Sequence, residues 1–224
     1  MTENDDFSAL LTDGPPPAAW TKANQDRGTI AGQLGVKVAT FAMRQRAIRA
    51  DAIDARRFER ATEALTALPG PLEYLHMVTG AEFSGFDLLP AMLALSKADS
   101  FEALTLTTLG FSKRNLEALD AMMEAGKLKA GSLRILCSDF FRRSDREIWQ
   151  IGRLQADRRG YGFRSTRNHT KLILGAIAGK SYVVESSANL RSCANLEQFT
   201  MTQSKDLFDF HAGWIETVWP TAEQ

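Results

Sequence analysis

The order of apolar and polar positions changes twice along the chain. Residues 1–28 show no sustained period, and Gly14, Pro15, Pro16 and Pro17 interrupt any helix there, so this part reads as a loose arm. From Val38 to Leu68 the pattern is helical: Ala, Arg and Glu dominate, no Gly or Pro intervenes, and Phe41, Ile48, Ala52, Ala55, Phe58 and Leu65 fall near one face. Pro69-Gly70-Pro71 stops that helix.

Beyond it, short apolar runs alternate with helical ones. Strands are expected at Glu73–Thr79, Phe101–Leu109, Ser132–Cys137, Tyr161–Arg164, Lys171–Gly175, Ser181–Glu185 and Glu197–Thr202. Helices are expected at Phe86–Leu95, from a cap at Ser112 through Ala125, at Asp145–Asp157 and at Lys205–Val218. Lys171–Gly175 and Ser181–Glu185 form a hairpin around an Ala-Gly-Lys turn. The alternation predicts an α/β fold, a mixed sheet covered by helices on both faces. Three parts follow: a flexible arm (1–28), a helical extension (29–70) and an α/β domain (71–224).

Composition narrows the classes without naming a function. The chain has 224 residues, 44% hydrophobic and 24% charged, as expected for a globular protein with a substantial core. No run of about 18 apolar residues is present, so no membrane partner is expected. The start is acidic rather than basic-then-apolar, unlike a secretory signal. Cys137 and Cys193 are too few for a disulfide framework and lack the partners of a zinc site. A reducing, cytoplasmic location and no metal or other cofactor are the expectation.

Net charge is zero, 27 basic against 27 acidic residues, which argues against indiscriminate coating of nucleic acid. The charge is nevertheless uneven. From Arg134 to Lys171, nine Arg and one Lys stand against Asp139, Asp145, Glu147 and Asp157, a local balance of +6. Such a stretch is either a solvated helix face or a phosphate-binding surface.

Three histidines are present. His76 lies in an apolar strand and His211 in the last helix among Phe208, Phe210 and Trp214; both read as packed or hydrogen-bonded core residues. His169 differs, because it opens a strand as His169-Thr170-Lys171. Strand alternation puts both basic side chains on one face, about 7 Å apart. An imidazole beside an ammonium suits a phosphate: the lysine balances charge and favours the neutral, nucleophilic imidazole. Ser187 and Asn189 then share parity on an extended segment, as small donors to phosphate oxygens, and Glu197 is a carboxylate able to orient one nitrogen of His169. Taken singly, each of these is equally a Ser/Asn-rich loop or a surface glutamate.

In this order, His169-x-Lys171, a hairpin, Ser187-x-Asn189 and Asn195-x-Glu197 resemble the phospholipase D-like superfamily in its single-motif form. The arm and the early strands resemble phage-encoded members. The family pattern has an Asp where this chain has Ala176, and a Gly where it has Ser186, and its hairpin is shorter. The resemblance implies a metal-independent phosphodiesterase, most plausibly a nuclease, working through a phosphohistidine at the cleft of a homodimer. His169, Lys171, Ser187, Asn189 and Glu197 would be the catalytic set. Arg158, Arg159, Arg167 and Asn195 would bind a nucleic acid, DNA or RNA, with Arg142, Arg143, Arg146 and Arg153 in the same basic rim. The competing reading is a catalytically degenerate nucleic-acid-binding or structural protein; a third is a transferase or diesterase acting on a small or lipid substrate.

Overall fold

The computed structural model describes residues 50–80, 82–191 and 195–221, with side chains from residue 57 onward. The arm, the first part of the long helix and Cys193 lie outside the described residues. The described part of the helix, α1 (Ala50–Leu65), ends where Thr66 takes a left-handed conformation (φ 52°), short of the Leu68 expected from its apolar pattern.

Among the described residues seven strands form one sheet, in the order β1-β7-β6-β5-β2-β3-β4. They are β1 (Tyr74–Gly80), β2 (Ala103–Thr107), β3 (Leu133–Ser138), β4 (Gly162–Thr166), β5 (Leu172–Ile177), β6 (Lys180–Ser186) and β7 (Leu196–Gln203). Strands β2, β3 and β4 are parallel; the other neighbours are antiparallel. The sheet is therefore mixed, as expected. The β5–β6 turn carries both central residues at positive φ, Ala178 at 51° and Gly179 at 71°, the combination whose twist matches a tight two-residue hairpin.

Helices follow at α2 (Leu88–Ser96), α3 (Lys113–Glu124), α4 (Asp139–Ser144), α5 (Arg146–Arg159) and α6 (Lys205–Val218). The hydroxyl of Ser112 accepts from the backbone N–H of Asn115 and caps α3; Ser204 caps α6 by accepting from Leu207. Helix α4 is an addition to the sequence pattern: Asp139–Ser144 is too short for an apolar period to show.

The helices cover the two faces unequally. One face carries Met77, Leu104, Leu106, Ile135, Phe163, Ile173, Val184 and Met201, in one core with Phe58, Ala61 and Leu65 of α1 and the apolar sides of α2 to α5. The other is covered by α6, whose Ile215 packs on Leu174 and Val183. Trp219 extends that cover, with the guanidinium carbons of Arg134 and Arg164 5.5 and 5.6 Å from its ring.

The edge strand β1 lies beyond the reach of α6. His76 is accordingly exposed, its Nδ1 3.0 Å from the hydroxyl of Thr200, with its ring stacked on Tyr74. This corrects the expectation of a core histidine: the apolar run of β1 serves its other face. His211 is buried as expected, its Nε2 3.0 Å from Glu185 Oε1 while Trp214 donates to its Nδ1 at 3.0 Å.

Candidate functional site

Parallel strands end together, and the loops after β2, β3 and β4 gather at that end of the sheet. The loop after β2 is the hub. Thr108 turns it, donating from Oγ1 to the carbonyl of Gly110 and accepting from the N–H of Gly110 and of Leu190. The loop after β4 then crosses toward β5 as Arg167-Asn168-His169-Thr170-Lys171.

Asn168 holds that crossing in place. Its buried amide donates to the carbonyls of Leu136 (3.2 Å) and Thr108 (3.4 Å), and its Oδ1 accepts from the N–H and hydroxyl of Thr170. The hydroxyl of Thr107 completes the clamp, 2.8 Å from that of Thr170 and accepting from the N–H of Leu172. The residue on each side of His169 is thus pinned to the ends of β2 and β3, while His169 itself is exposed. Asn168 was missed in the sequence; its signal was the Asn-x-Thr spacing of a side chain bonding the backbone two residues on.

His169 lies in this loop rather than opening β5, so the strand-alternation spacing does not apply. The chain curls instead. Lys171 Nζ donates to the carbonyl of His169 at 2.8 Å and sits 3.2 Å from its Nδ1. Partial burial pushes the amine of Lys171 below its ordinary range, opposed by the nearby carboxylate of Glu197.

Ser187 and Asn189 are held by different partners. The hydroxyl of Ser187 donates to Glu197 Oε2 and accepts from the N–H of Gln198, on β7. Asn189 turns the other way: its Oδ1 accepts from the N–H of Leu109 at 3.1 Å, which leaves its NH2 as a free donor among the described residues. Glu197 therefore engages Ser187 and the field of Lys171, and among the described residues no carboxylate is bonded to His169. Asn195 is exposed just before β7.

An open cleft of about 560 Å3 lies beside His169, lined by Leu109, Ser138, Asp139, Phe140, Arg143, Arg167, Asn168 and His169. Arg167 lines this cleft with His169. Arg143 of α4 lines the cleft too, and it also lines a second hollow of about 370 Å3, with Arg142, Arg146, Trp149 and Gln150. Arg143, Arg146 and Arg167 make no ion pair among the described residues, although Arg143 Nε donates to the carbonyl of Asp139 at 3.3 Å.

Arg158 and Arg159 are placed elsewhere. They end α5, which leads into the start of β4, whereas His169 follows the end of that strand. Both are committed to α3: Arg158 donates to both oxygens of Asp120 at 3.0 and 3.1 Å, and Arg159 donates to Asp120 and Glu124 at 2.6 Å each. The expectation that they line the His169 site is corrected. A parallel strand separates the two ends of the sheet, and the carboxylates of α3 neutralise these guanidinium groups. Arg153 pairs with Asp157, and Arg134 with Glu216. The basic surplus of the Arg134–Lys171 stretch thus reaches the cleft only from α4, the first turn of α5 and Arg167.

No family model matches the chain, and no curated protein matches it in sequence. Among solved structures it is similar to TrmBL2, described as an archaeal chromatin protein with a novel mode of DNA binding: 16% identity, TM-score 0.43, 68% of this chain and 54% of that one. It is also similar to phosphatidylserine synthase of Haemophilus influenzae Rd KW20: 15% identity, TM-score 0.38, 73% of this chain and 41% of that one. The chain spans about half the length of the first and less of the second. A fold likeness does not carry a function, so chemistry is argued from this chain's own residues. Among the described residues no helix is long and apolar enough to cross a membrane.

Proposed function

We propose that the chain is a phosphodiesterase acting on nucleic acid, with His169 as nucleophile and general acid at a site completed by a second copy. The observation that carries this reading is the exposed imidazole of His169 with Lys171 Nζ 3.2 Å from its Nδ1, at the mouth of a cleft that holds Arg143 and Arg167. Its order of residues, His169-x-Lys171 before Ser187-x-Asn189, resembles that of phospholipase D-like enzymes.

The resting geometry sets a condition on the chemistry. With Nδ1 accepting from the ammonium of Lys171, a neutral imidazole carries its proton on Nε2, the form that donates rather than attacks. An arriving phosphate diester supplies Lys171 with better acceptors. Once the amine turns to a non-bridging oxygen, Nδ1 is free to take the proton and Nε2 the lone pair. Nε2 then bonds to phosphorus as the bond to the leaving oxygen breaks. That oxygen takes a proton from Nε2 of His169 in the second copy, which acts with both ring nitrogens protonated, is left neutral, and regains the proton from the water that attacks phosphorus as the bond to the first His169 breaks. Lys171, the free NH2 of Asn189 and Arg167 stabilise the charge that builds on the oxygens. Ser187 and Glu197 act through Lys171: the carboxylate keeps the amine near the site and protonated.

A second reading has its own observation. No carboxylate among the described residues steers His169, and Ala176 stands at the family's Asp position, on β5. A chain with this cleft that binds nucleic acid without turning it over fits those two facts.

Incubating the full chain with supercoiled plasmid in excess chelator tests both. Nicking by the wild type, abolished by His169→Ala, is the expected result. Binding of plasmid with no nicking at any enzyme concentration gives the second reading. Sedimentation of a monomer both with and without DNA removes the second histidine and the two-histidine mechanism with it.

A further inference from the structure

The cleft beside His169 is larger than a phosphate requires, and its lining includes two apolar side chains, Leu109 and Phe140. Phe140, on the exposed side of α4, keeps 60% of its surface open although it lies between the buried Phe141 and the half-buried Asp139. It lines the same cleft as His169, together with Leu109 and with Arg143, one helical turn on. An exposed aromatic ring flanked by guanidinium groups has the components on which proteins stack unpaired bases.

Charge fixes the direction in which a nucleotide would lie. Arg167 and His169 line the cleft two residues apart, with Lys171 bonded to His169. Next to Phe140 in the chain stands Asp139, whose Oδ1 is buried with no hydrogen-bond partner among the described residues. A phosphate is attracted at Arg167 and Arg143 and repelled directly beside Asp139. An uncharged base is not, and Phe140 gives it a face to cover. Past Phe140 the chain of arginines resumes with Arg143, Arg142 and Arg146 in the adjoining hollow, where the next phosphate of a strand would sit.

Resting on the diesterase reading above, we propose that the substrate is single-stranded nucleic acid, held with one phosphate at His169 and Arg167, the adjacent base stacked on Phe140, and the following phosphate on Arg142, Arg143 and Arg146. In a duplex the base faces are covered by their neighbours and cannot reach Phe140 without being flipped out, at a cost that a single strand does not bear. Phe140 is on this account a specificity residue, acting by stacking and independent of the identity of the base.

The test is fluorescence anisotropy of labelled oligonucleotides with the full chain in a His169→Ala background, so that no probe is consumed. Three probes are compared: a single-stranded 12-mer, the same length with abasic sites throughout, and the 12-mer duplex. The expected order is single strand tightest, with Phe140→Ala weakening it about 5- to 100-fold and Phe140→Tyr restoring it. The abasic probe should bind the parent and Phe140→Ala equally. Comparing the abasic with the intact strand on the parent alone needs no substitution at 140, so that comparison remains decisive whatever Phe140→Ala does to the fold. Three results overturn the proposal: duplex bound more tightly than single strand, abasic and intact strands bound alike by the parent, or Phe140→Ala dissociating a dimer that the parent forms, which makes Phe140 a contact between copies. Nicking by the wild type alongside any of these leaves the diesterase reading standing, whereas failure to bind any probe together with absence of nicking removes both.

Discussion

Lys171 Nζ meets His169 twice, donating to its carbonyl at 2.8 Å and lying 3.2 Å from its Nδ1, so the cation of the site is held against its imidazole before any phosphate arrives. Lys171→Met should leave the fold intact, because the amine bonds only within its own loop. It should lower nicking about 100-fold or more, the usual cost of removing one pre-aligned charge stabiliser. Lys171→Arg should recover little, since the planar guanidinium cannot occupy the compact position of the amine. The same burial that lowers the Lys171 pKa predicts that, in NMR of the reductively methylated chain, its resonance titrates below the ordinary lysine range. Its absence in Lys171→Met makes the assignment.

Asn168 is the residue whose loss should separate placement of His169 from its chemistry. Asn168→Ala leaves the carbonyls of Thr108 and Leu136 without their side-chain donor and removes the acceptor of the Thr170 N–H and hydroxyl. A cost of about 1–3 kcal/mol in urea unfolding is expected for that unmet burial, with nicking lost out of proportion to stability. Asn168→Asp should fare no better, because a carboxylate cannot donate to the two carbonyls.

The α3–α5 ion cluster should behave as a pH-dependent brace unrelated to the site. The side-chain hydrogen bond from Arg159, aided by the charges of Arg158 and Arg159, holds the carboxyl of Asp120 down at about 2 against an ordinary 3.8. A lowered acid stabilises the fold fully above the unfolded value and loses that contribution as pH falls from about 3.8 through about 2. Asp120→Asn should therefore cost about 0.5–1 kcal/mol at pH 7, allowing for solvent screening, and progressively less in chemical unfolding taken from pH 4 toward pH 2. DNA affinity should not change, in contrast to Arg143→Ala and Arg167→Ala.

Gly110 is pressed against Phe141: a Cβ there would lie 2.6 Å from the ring carbon Cδ2. Phe141 cannot move away easily, because it is buried and packs on Phe111 with ring centroids 4.6 Å apart. Gly110→Ala should destabilise by about 1–3 kcal/mol in thermal or urea unfolding, the usual range for overpacking. Because Phe141 carries Phe140 beside it on α4, single-strand affinity should fall in this variant as well.

Burial pushes the Cys137 thiol up to about 12, so it is present as the unreactive thiol at neutral pH. Iodoacetamide at pH 8, followed by peptide mass spectrometry, should leave Cys137 unmodified in the native chain and modify it after denaturation.

The seven strands, their order along the chain and the β5–β6 hairpin were legible in the amino-acid sequence, because each rests on a local period or on turn residues that act over a few positions. So was the pairing of His169 with Lys171, two residues apart, although as neighbours on a strand face rather than in a curled loop. What depended on the tertiary structure is everything that spans the sheet. Two arginines of the basic stretch, Arg158 and Arg159, lie at the other end of β4 from His169, while Arg143 and Phe140, on a helix too short to announce itself, line the cleft. The depth of Asn168, the separate partners of Ser187 and Asn189, and the exposure of His76 on an edge strand follow from which strands are neighbours. Strand order is set by how distant apolar faces share one core, and no local pattern encodes it.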